Sequence, residues 1–338
     1  MKNSAYRERL MPHIVIPDDD PPVYQGHPEL ERLRTLGEVT VYHRRATSPE
    51  EFLERLRPAD IVLNVRAYSR FSREVLEALP RLRLISVLGT GTDNIDLEAA
   101  TALGIVVTNT PGASTVSVAE LTIALMLAAA RHLAWADRTV RAGRWEHRQG
   151  SELRGKTLGI IGLGAIGQEV ARLARGLGLR VIAWSFTPDP ARAAACGAEL
   201  VDLETLLTQA DIVSLHLRAS PRSVGLLDRQ AIFRLKRGAI LINTARGALV
   251  DEEALADALE QGHLAAAGLD VFAVEPLPPE SRLRRLENVV LSPHMGWVTA
   301  EASARLTRLP VDNIAAYLAG QPTCVVNPAA LAHPRQRG

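Results

Sequence analysis

The sequence predicts an α/β protein with two domains, each built on a parallel sheet flanked by helices. Its 338 residues exceed the usual size of a single hydrophobic core. Short β-branched runs alternate with amphipathic stretches along the chain, which is typical of repeated βαβ units. A glycine-rich turn at 162–167 lies between a buried run and a helical pattern, as in the doubly wound sheet of a Rossmann domain.

Strands are predicted from apolar runs on both sides of an interruption. The first group comprises 13–16, 38–42, 61–63, 82–87 and 105–107. An apolar stretch over 116–141 then predicts one long helix that connects two domains, before a polar link at 144–154. The second group comprises about 158–162, 180–184, 211–215, 239–243, 266–271 and 289–292. A last amphipathic stretch, 299–318, contains Pro310, which we expect to kink or divide it.

Charge and cysteine usage exclude several classes of partner. The 39 basic and 38 acidic side chains nearly cancel without blocks of like charge, so neither nucleic acid nor a membrane surface is an expected partner. Cys196 and Cys324 lack the spacing of a disulfide framework or a metal site. The longest apolar run, 121–130, is too short to cross a bilayer, and the N-terminus lacks an apolar segment. We therefore expect a cytoplasmic protein without a metal.

The glycine turn predicts a dinucleotide site. Three glycines stand where a strand gives way to a helix, so backbone amides at the helix start can meet a pyrophosphate. The alternative is a tight turn without a ligand. The predicted cofactor-binding residues of the turn are Gly162, Leu163, Gly164, Ala165, Ile166 and Gly167.

The next strand leaves the choice of cofactor open. Where an acid usually accepts hydrogen bonds from the adenosine ribose, this chain has Ser185 and Phe186. A neutral residue removes the repulsion against a ribose 2′-phosphate, but no arginine follows directly, and Arg192 is the nearest candidate. Both NAD(H) and NADP(H) are therefore expected cofactors.

The remaining site residues are predicted from the sheet itself. The carboxyl ends of parallel strands lie along one edge, and ligands bind in the crevice outside it. The predicted cofactor-binding residues at this edge, besides the turn, are Ser185, Phe186, His216, Leu217, Thr244, Ala245, Arg246, Asp270 and His294.

Three residues at this edge have the chemistry to reduce a 2-keto acid. Arg246 can bind the carboxylate and carbonyl oxygen, and His294 can supply a proton. A nearby carboxylate such as Glu275 would favour the imidazolium form. Each residue also has an alternative, purely structural interpretation. Arg246 would form an ion pair in its loop, Glu275 would be a solvated acid, and His294 would be a loop residue hydrogen-bonded to the backbone.

The chain resembles the D-specific 2-hydroxyacid dehydrogenases in five motifs, in the family's order and over nearly its whole length. These motifs are Val87-Leu-Gly-Thr-Gly-Thr-Asp-Asn-Ile-Asp96, Gly162-Leu-Gly-Ala-Ile-Gly167, Asn243-Thr-Ala-Arg-Gly247, Gly268-Leu-Asp-Val-Phe-Ala-Val-Glu-Pro276 and Ser292-Pro-His-Met-Gly296.

The resemblance implies domains and further site residues. A dinucleotide-binding domain, 108–296, would be inserted in a smaller flavodoxin-like substrate domain formed by 1–107 and 297–338. Arg246 would clamp the keto acid, with His294 as acid/base and Glu275 tuning it. Gly296 would join the cofactor site, and Asp270 would lie beside the nicotinamide carboxamide. Substrate-binding residues would be Arg66, Thr90, Gly91 and Arg246.

A homodimer is also implied, formed across the apolar helix of 116–141, with Trp135 near the partner's cleft. The leading expectation is reduction of a small 2-keto acid, of glyoxylate or hydroxypyruvate type, to the D-2-hydroxy acid. One alternative is a D-3-phosphoglycerate dehydrogenase, whose phosphate Arg66 could meet, although an added C-terminal regulatory domain is lacking. A formate dehydrogenase is disfavoured because that branch has glutamine at the position of Glu275. The rival from another class is a dinucleotide-sensing, corepressor-like binding protein.

Overall fold

The computed structural model describes residues 11–65 and 68–335. Its strands are β1 His13–Ile16, β2 Glu38–Val41, β3 Ile61–Asn64, β4 Leu84–Val87, β5 Val106–Thr108, β6 Thr157–Ile161, β7 Arg180–Trp184, β8 Glu199–Leu200, β9 Ile212–Leu215, β10 Ile240–Asn243, β11 Ala266–Leu269 and β12 Val289–Leu291.

Its helices are α1 Pro28–Arg34, α2 Pro49–Leu56, α3 Arg73–Glu77, α4 Leu97–Ala102, α5 Thr115–Ala130, α6 Leu133–Arg141, α7 Ala165–Gly176, α8 Pro190–Cys196, α9 Leu203–Gln209, α10 Arg229–Arg234, α11 Glu252–Glu260 and α12 Ala300–Leu318. Short 3₁₀ helices follow at Gly247–Leu249, Arg282–Arg285 and Pro328–Leu331.

The chain divides into two compact units. The first unit is Met1–Ser114 with Thr299–Gly338, and the second unit is Thr115–Val298. The sequence places the transitions slightly earlier, at 107 and 296. The difference at the first transition has a local cause, because the Thr110 amide donates to the Gly89 carbonyl and the Asn109 amide to that of Cys324. These bonds tie the residues after β5 to the first unit.

The first unit contains a five-stranded sheet in the order β2-β1-β3-β4-β5, with every pair parallel. This is the flavodoxin-like order, so the expected fold class is confirmed here. The central strands β3 and β4 are buried along their whole length because apolar clusters cover both faces of the sheet.

The C-terminal helix α12 packs against β4 and α1. Pro310 lies inside it, and the helix runs unbroken past this residue, so the expected division is wrong. Tertiary contacts explain why this helix accommodates a proline. Pro310 is buried, its carbonyl accepts a hydrogen bond from Ser86 Oγ at 3.0 Å, and the Thr307 carbonyl accepts one from the Tyr24 hydroxyl at 2.8 Å. Burial and these bonds hold the helix in place on both sides of the proline.

The second unit contains a seven-stranded parallel sheet in the order β12-β11-β10-β9-β6-β7-β8. The chain reverses direction across the sheet between β6 and β9, as in a doubly wound nucleotide-binding fold, which confirms the second part of the fold class. The sequence missed β8, which has two residues and pairs only with β7. So short a strand leaves no alternation to detect.

The single long helix expected over 116–141 is two helices, α5 and α6. They are bent by 65° at a break between Ala130 and Leu133. His132 occupies the left-handed region at φ 51°, and its Nε2 lies 3.2 Å from the Gln149 carbonyl oxygen. In the described part of the chain no single helix has the length and apolarity to cross a bilayer; α5 and α6 pass that test only as a bent pair, by length and composition.

Candidate active site

The residues predicted from the strand ends follow β6, β7, β9, β10, β11 and β12 of the second unit. Because these strands are parallel neighbours in one sheet, the segments after them share one edge.

The glycine turn joins β6 to α7 and has the shape of a phosphate cradle. Gly162 has φ +103°, a conformation that glycine adopts without strain. A Cβ on Gly167 would collide with the Gly162 carbonyl oxygen. At Gly164, by contrast, no heavy atom lies within 4 Å of the Cβ position, so open space adjoins the first amides of α7. The turn therefore fits a pyrophosphate.

Leu163 and the start of α7 support this cradle in different ways. The Leu163 side chain is buried, and its amide donates to Ser185 Oγ at 2.8 Å. Ala165 and Ile166 begin the helix, where amides have no earlier carbonyl to bond. The structure thus uses the Leu163 amide to join β6 to β7, and amides further along the turn remain for a ligand.

His216 and Leu217 pack against the turn. A Cβ at Gly162 would lie 2.9 Å from the His216 carbonyl oxygen and from Leu217 Cδ2. His216 Nε2 lies 2.9 Å from Ser214 Oγ, and burial lowers the pKa of His216 to about 3. The imidazole is therefore neutral at physiological pH and does not contribute a charge to the site.

Asn243 shapes the loop that carries Arg246. Its Oδ1 accepts a hydrogen bond from the Ala245 amide at 3.0 Å, and its Nδ2 donates to the Arg246 carbonyl at 2.9 Å. The backbone of Arg246 is extended and the residue is half-buried. Its Nη1 donates to the Ala245 carbonyl at 2.7 Å. Thr244 is held on a second side by Thr122, with 2.8 Å between their hydroxyl oxygens. The loop is therefore fixed by Asn243 from its own strand and by Thr122 from α5.

Gly247 brings the Arg246 loop against the segment after β11. A Cβ at Gly247 would overlap the Phe272 carbonyl group and the Ala273 amide nitrogen. Since backbone cannot yield as a flexible side chain can, only glycine fits here.

We expect Gly247→Ala to lower the free energy of unfolding by about 1–3 kcal/mol or more, because the added methyl group overpacks two backbone segments. Urea denaturation measures the change. The matched control is Gly176→Ala at the end of α7, where no heavy atom lies within 4 Å of the Cβ position. Equal stability of Gly247→Ala and the native protein would contradict the close packing.

Asp270 anchors the loop that carries His294. Its Oδ1 accepts hydrogen bonds from Ser292 Oγ at 2.6 Å and from the Met295 amide at 2.9 Å, and its Oδ2 accepts one from the Gly296 amide at 2.9 Å. The Asp270 carbonyl also receives the His294 amide at 2.8 Å. His294 itself has φ 53°, which is unusual for a residue with a side chain, and these bonds hold it there. The expected contact between Asp270 and a nicotinamide stays a prediction.

His294 and Glu275 form a hydrogen-bonded pair. His294 Nδ1 lies 2.7 Å from Glu275 Oε2, and Glu275 Oε1 accepts the Phe272 amide at 3.0 Å. Burial by itself would raise the pKa of Glu275, but the bonds from His294 and Phe272 and the charge of Arg246 lower it below its usual value. Of the three residues predicted for catalysis, His294 and Arg246 therefore both interact electrostatically with the Glu275 carboxylate.

The remaining predicted substrate residues belong to the first unit. Thr90 and Gly91 follow β4, and the Thr90 carbonyl accepts a hydrogen bond from Asn109 Nδ2 at 2.9 Å. Arg66 lies outside the described residues. Their roles toward a substrate stay predictions.

Comparison with known proteins places this geometry in a family. The family model for the NAD binding domain of D-isomer specific 2-hydroxyacid dehydrogenases matches residues 123–296. A glyoxylate reductase of Thermococcus litoralis is 42% identical over 285 residues, covering 81% of this chain and 86% of its relative. The chain belongs to the D-isomer specific 2-hydroxyacid dehydrogenase family.

Two other similar proteins have different names. A D-3-phosphoglycerate dehydrogenase of Mycobacterium leprae is 46% identical over 78% of this chain, and the chain spans 50% of that enzyme's length. A solved acyclic imino acid reductase, in complex with NADPH and D-Arg, is 32% identical with a TM-score of 0.84, covering 93% of this chain and 99% of its own. The chain thus spans about half the length of the phosphoglycerate dehydrogenases it matches.

The structure places one further charged residue at the carboxyl edge of the second unit's sheet. The sequence did not indicate this residue. Arg222, on the loop after β9, places its guanidinium carbon 4.4 Å from the centre of the Phe186 ring. Arg192, the nearest candidate from sequence, also lies at the glycine turn, where its Nη1 donates to the Leu163 carbonyl at 3.5 Å, and its Nη2 lies 3.5 Å from the Asp189 carboxylate. Arg222 is distant from Ser185 in the chain, but a search of every segment that follows a strand at this edge would have found it.

Proposed function

We propose that this chain is an NAD(P)-dependent dehydrogenase that interconverts a small 2-keto acid and its D-2-hydroxy acid. The observation that carries the proposal is the 2.7 Å pair of His294 and Glu275 at the same sheet edge as Arg246. A proton donor, a carboxylate that orients it and a fixed guanidinium are the groups that carbonyl reduction requires.

His294 is the residue that exchanges the proton. Because Glu275 engages Nδ1, Nε2 is the nitrogen available to the substrate's carbonyl oxygen, and the described residues place no hydrogen-bond partner on it. Arg246 pairs with the substrate carboxylate and polarises the carbonyl. A nicotinamide dinucleotide, when bound, supplies the hydride to the carbonyl carbon. Reduction thus consumes one hydride and one proton and yields the alcohol.

A substrate of glyoxylate or hydroxypyruvate type is favoured, since a relative of which this chain covers 86% is named a glyoxylate reductase. A phosphoglycerate dehydrogenase is the second candidate, because relatives of that name are at least as similar over the region they share. The imino acid reductase among the solved neighbours extends the comparison to carbon–nitrogen substrates.

A panel of substrates with NADH and NADPH tests the function and separates these candidates. It comprises glyoxylate, hydroxypyruvate, 3-phosphohydroxypyruvate, and a keto acid mixed with an amine. Consumption of reduced cofactor with the first two, and a higher kcat/KM than with the others, is the expected result. Cofactor binding without turnover on any of them would instead support the dinucleotide sensor.

Glu275→Gln should change the pH dependence of reduction. The lowered pKa of Glu275 keeps it ionised across the neutral range, and its charge is lost only as pH falls through that lowered value. The native reduction rate should therefore decline as pH falls through the lowered pKa of Glu275, and this decline should be absent in Glu275→Gln, whose amide does not titrate. The same profile in Glu275→Gln and in the exposed control Glu301→Gln would refute this role.

We also propose a homodimer formed through α5 and α6. Large apolar side chains are exposed here, Leu133 at 62% and Val140 at 53%, and Trp145 beyond α6 at 82%. Trp135, expected near a partner's cleft, is buried in its own chain, with the Arg148 guanidinium 4.6 Å from its ring centre. Sedimentation equilibrium should give twice the chain mass, and a monomer at micromolar concentration would exclude this interface.

A further inference from the structure

A cavity of about 390 Å³ lies at the carboxyl end of β7, beside the glycine turn. Its volume falls in the range of small-molecule sites, which is about 300–1,000 Å³. Ser185, Phe186, Asp202 and Arg222 contribute to its wall. The cofactor preference of the site depends on which charges face this cavity.

Ser185 presents a hydroxyl where an acid would exclude a phosphate. Its Oγ accepts the Leu163 amide at 2.8 Å, which leaves the hydroxyl proton free to be donated to an oxygen of a ligand. In this fold a carboxylate at the position accepts both ribose hydroxyls and repels a 2′-phosphate. The serine supplies neither effect.

Arg222 supplies a cation at the same cavity. Its guanidinium stacks over Phe186, with 4.4 Å from the guanidinium carbon to the ring centre, and the side chain makes no ion pair within the described part of the chain. Stacking restrains the planar group while its N–H edges stay available. A restrained arginine with free donors suits a phosphate.

The acids near the cavity are already engaged. Asp202 accepts the Thr205 amide at 2.7 Å and the Thr205 hydroxyl at 2.9 Å, as the N-cap of α9. Asp189 caps α8 and pairs with Arg192. Donors of a first helical turn partly offset a carboxylate's charge, so each of these acids opposes a bound phosphate less than it would without its hydrogen bonds.

We propose that Arg222 binds the ribose 2′-phosphate of NADP(H), with Ser185 admitting it, so that this chain prefers NADPH to NADH. The inference rests on the proposed function only in that the chain binds a nicotinamide dinucleotide. It does not depend on the substrate or on turnover.

The test is the Kd of the full-length protein for NADPH and for NADH, followed by tryptophan fluorescence without substrate. The native protein should bind NADPH at least about tenfold more tightly, as expected for a charge-assisted pair with phosphate. Arg222→Ala should weaken NADPH binding about tenfold and change the Kd for NADH less than about twofold. Ser185→Asp is the second variant, and it should reverse the preference by repelling the phosphate.

Arg237→Ala is the matched control, since it removes the same charge at the amino end of β10, on the opposite edge of the sheet. It should leave both Kd values unchanged. Equal or tighter binding of NADH by the native protein would overturn the assignment of Arg222, as would equal weakening of both cofactors by Arg222→Ala. A specific loss of NADPH binding in Arg192→Ala but not in Arg222→Ala would transfer the role to Arg192. If a folded native protein bound neither dinucleotide, the proposed function would fail as well.

Discussion

His294→Gln is expected to reduce kcat for 2-keto acid reduction by about 10²–10⁴-fold, the contribution of a positioned general acid. Glutamine retains a hydrogen-bonding group toward Glu275 but cannot transfer a proton at neutral pH. The Kd for the dinucleotide should change little, because the glycine turn and the cavity beyond β7 lie away from this side chain along the sheet edge. Stopped-flow or steady-state kinetics with the best keto acid of the panel measures the loss.

His333→Gln is the control for this substitution, as it changes an exposed histidine of the first unit. It should retain native kcat. A His294→Gln enzyme with more than about a tenth of native kcat would show that another group supplies the proton, since a general acid contributes at least about 10²-fold.

Arg246→Gln is expected to lower kcat/KM by about 10³-fold or more, because it removes both the partner of the substrate carboxylate and the charge that polarises the carbonyl. Arg246→Lys should recover only part of the loss, since an ammonium cannot bind a carboxylate through two parallel hydrogen bonds. Adding guanidinium chloride at low millimolar concentration to Arg246→Gln should restore some activity while Tm stays unchanged.

Arg237→Gln provides the matched charge control. A loss confined to KM, with kcat unchanged, would assign Arg246 to substrate binding alone. Native kcat/KM in Arg246→Gln would remove it from the site, and the proposed mechanism would fail with it.

Much of the fold was predictable because parallel strands buried on both faces are continuous apolar runs. β3, β4, β9 and β10 are such runs, and each was expected within one or two residues of its observed bounds. The predictions that were wrong concern where helices are interrupted. At the break at His132 and in the unbroken helix at Pro310, hydrogen bonds join the chain to residues distant in sequence, Gln149 in one case and Ser86 and Tyr24 in the other. Local propensity contains no information about such partners.

The catalytic candidates were predictable for a similar reason. Arg246, Glu275 and His294 each follow a strand of one parallel sheet, and this topology alone brings strand ends to one edge. The anchoring of that edge was not predictable. The use of Asp270 to hold the His294 loop, and the fit of Gly247 against Phe272, appear only when the chain is folded.

By itself, the sequence predicted a dinucleotide site on a glycine turn and determined that an arginine, an acid and a histidine follow neighbouring strands. These features are local patterns, and a parallel sheet has only one way to arrange its strand ends. The tertiary structure decided which acid meets which imidazole nitrogen, and which arginine lies over Phe186 near Ser185. Distances between loops depend on side-chain packing and hydrogen bonds across the sheet, and those contacts exist only in the folded chain.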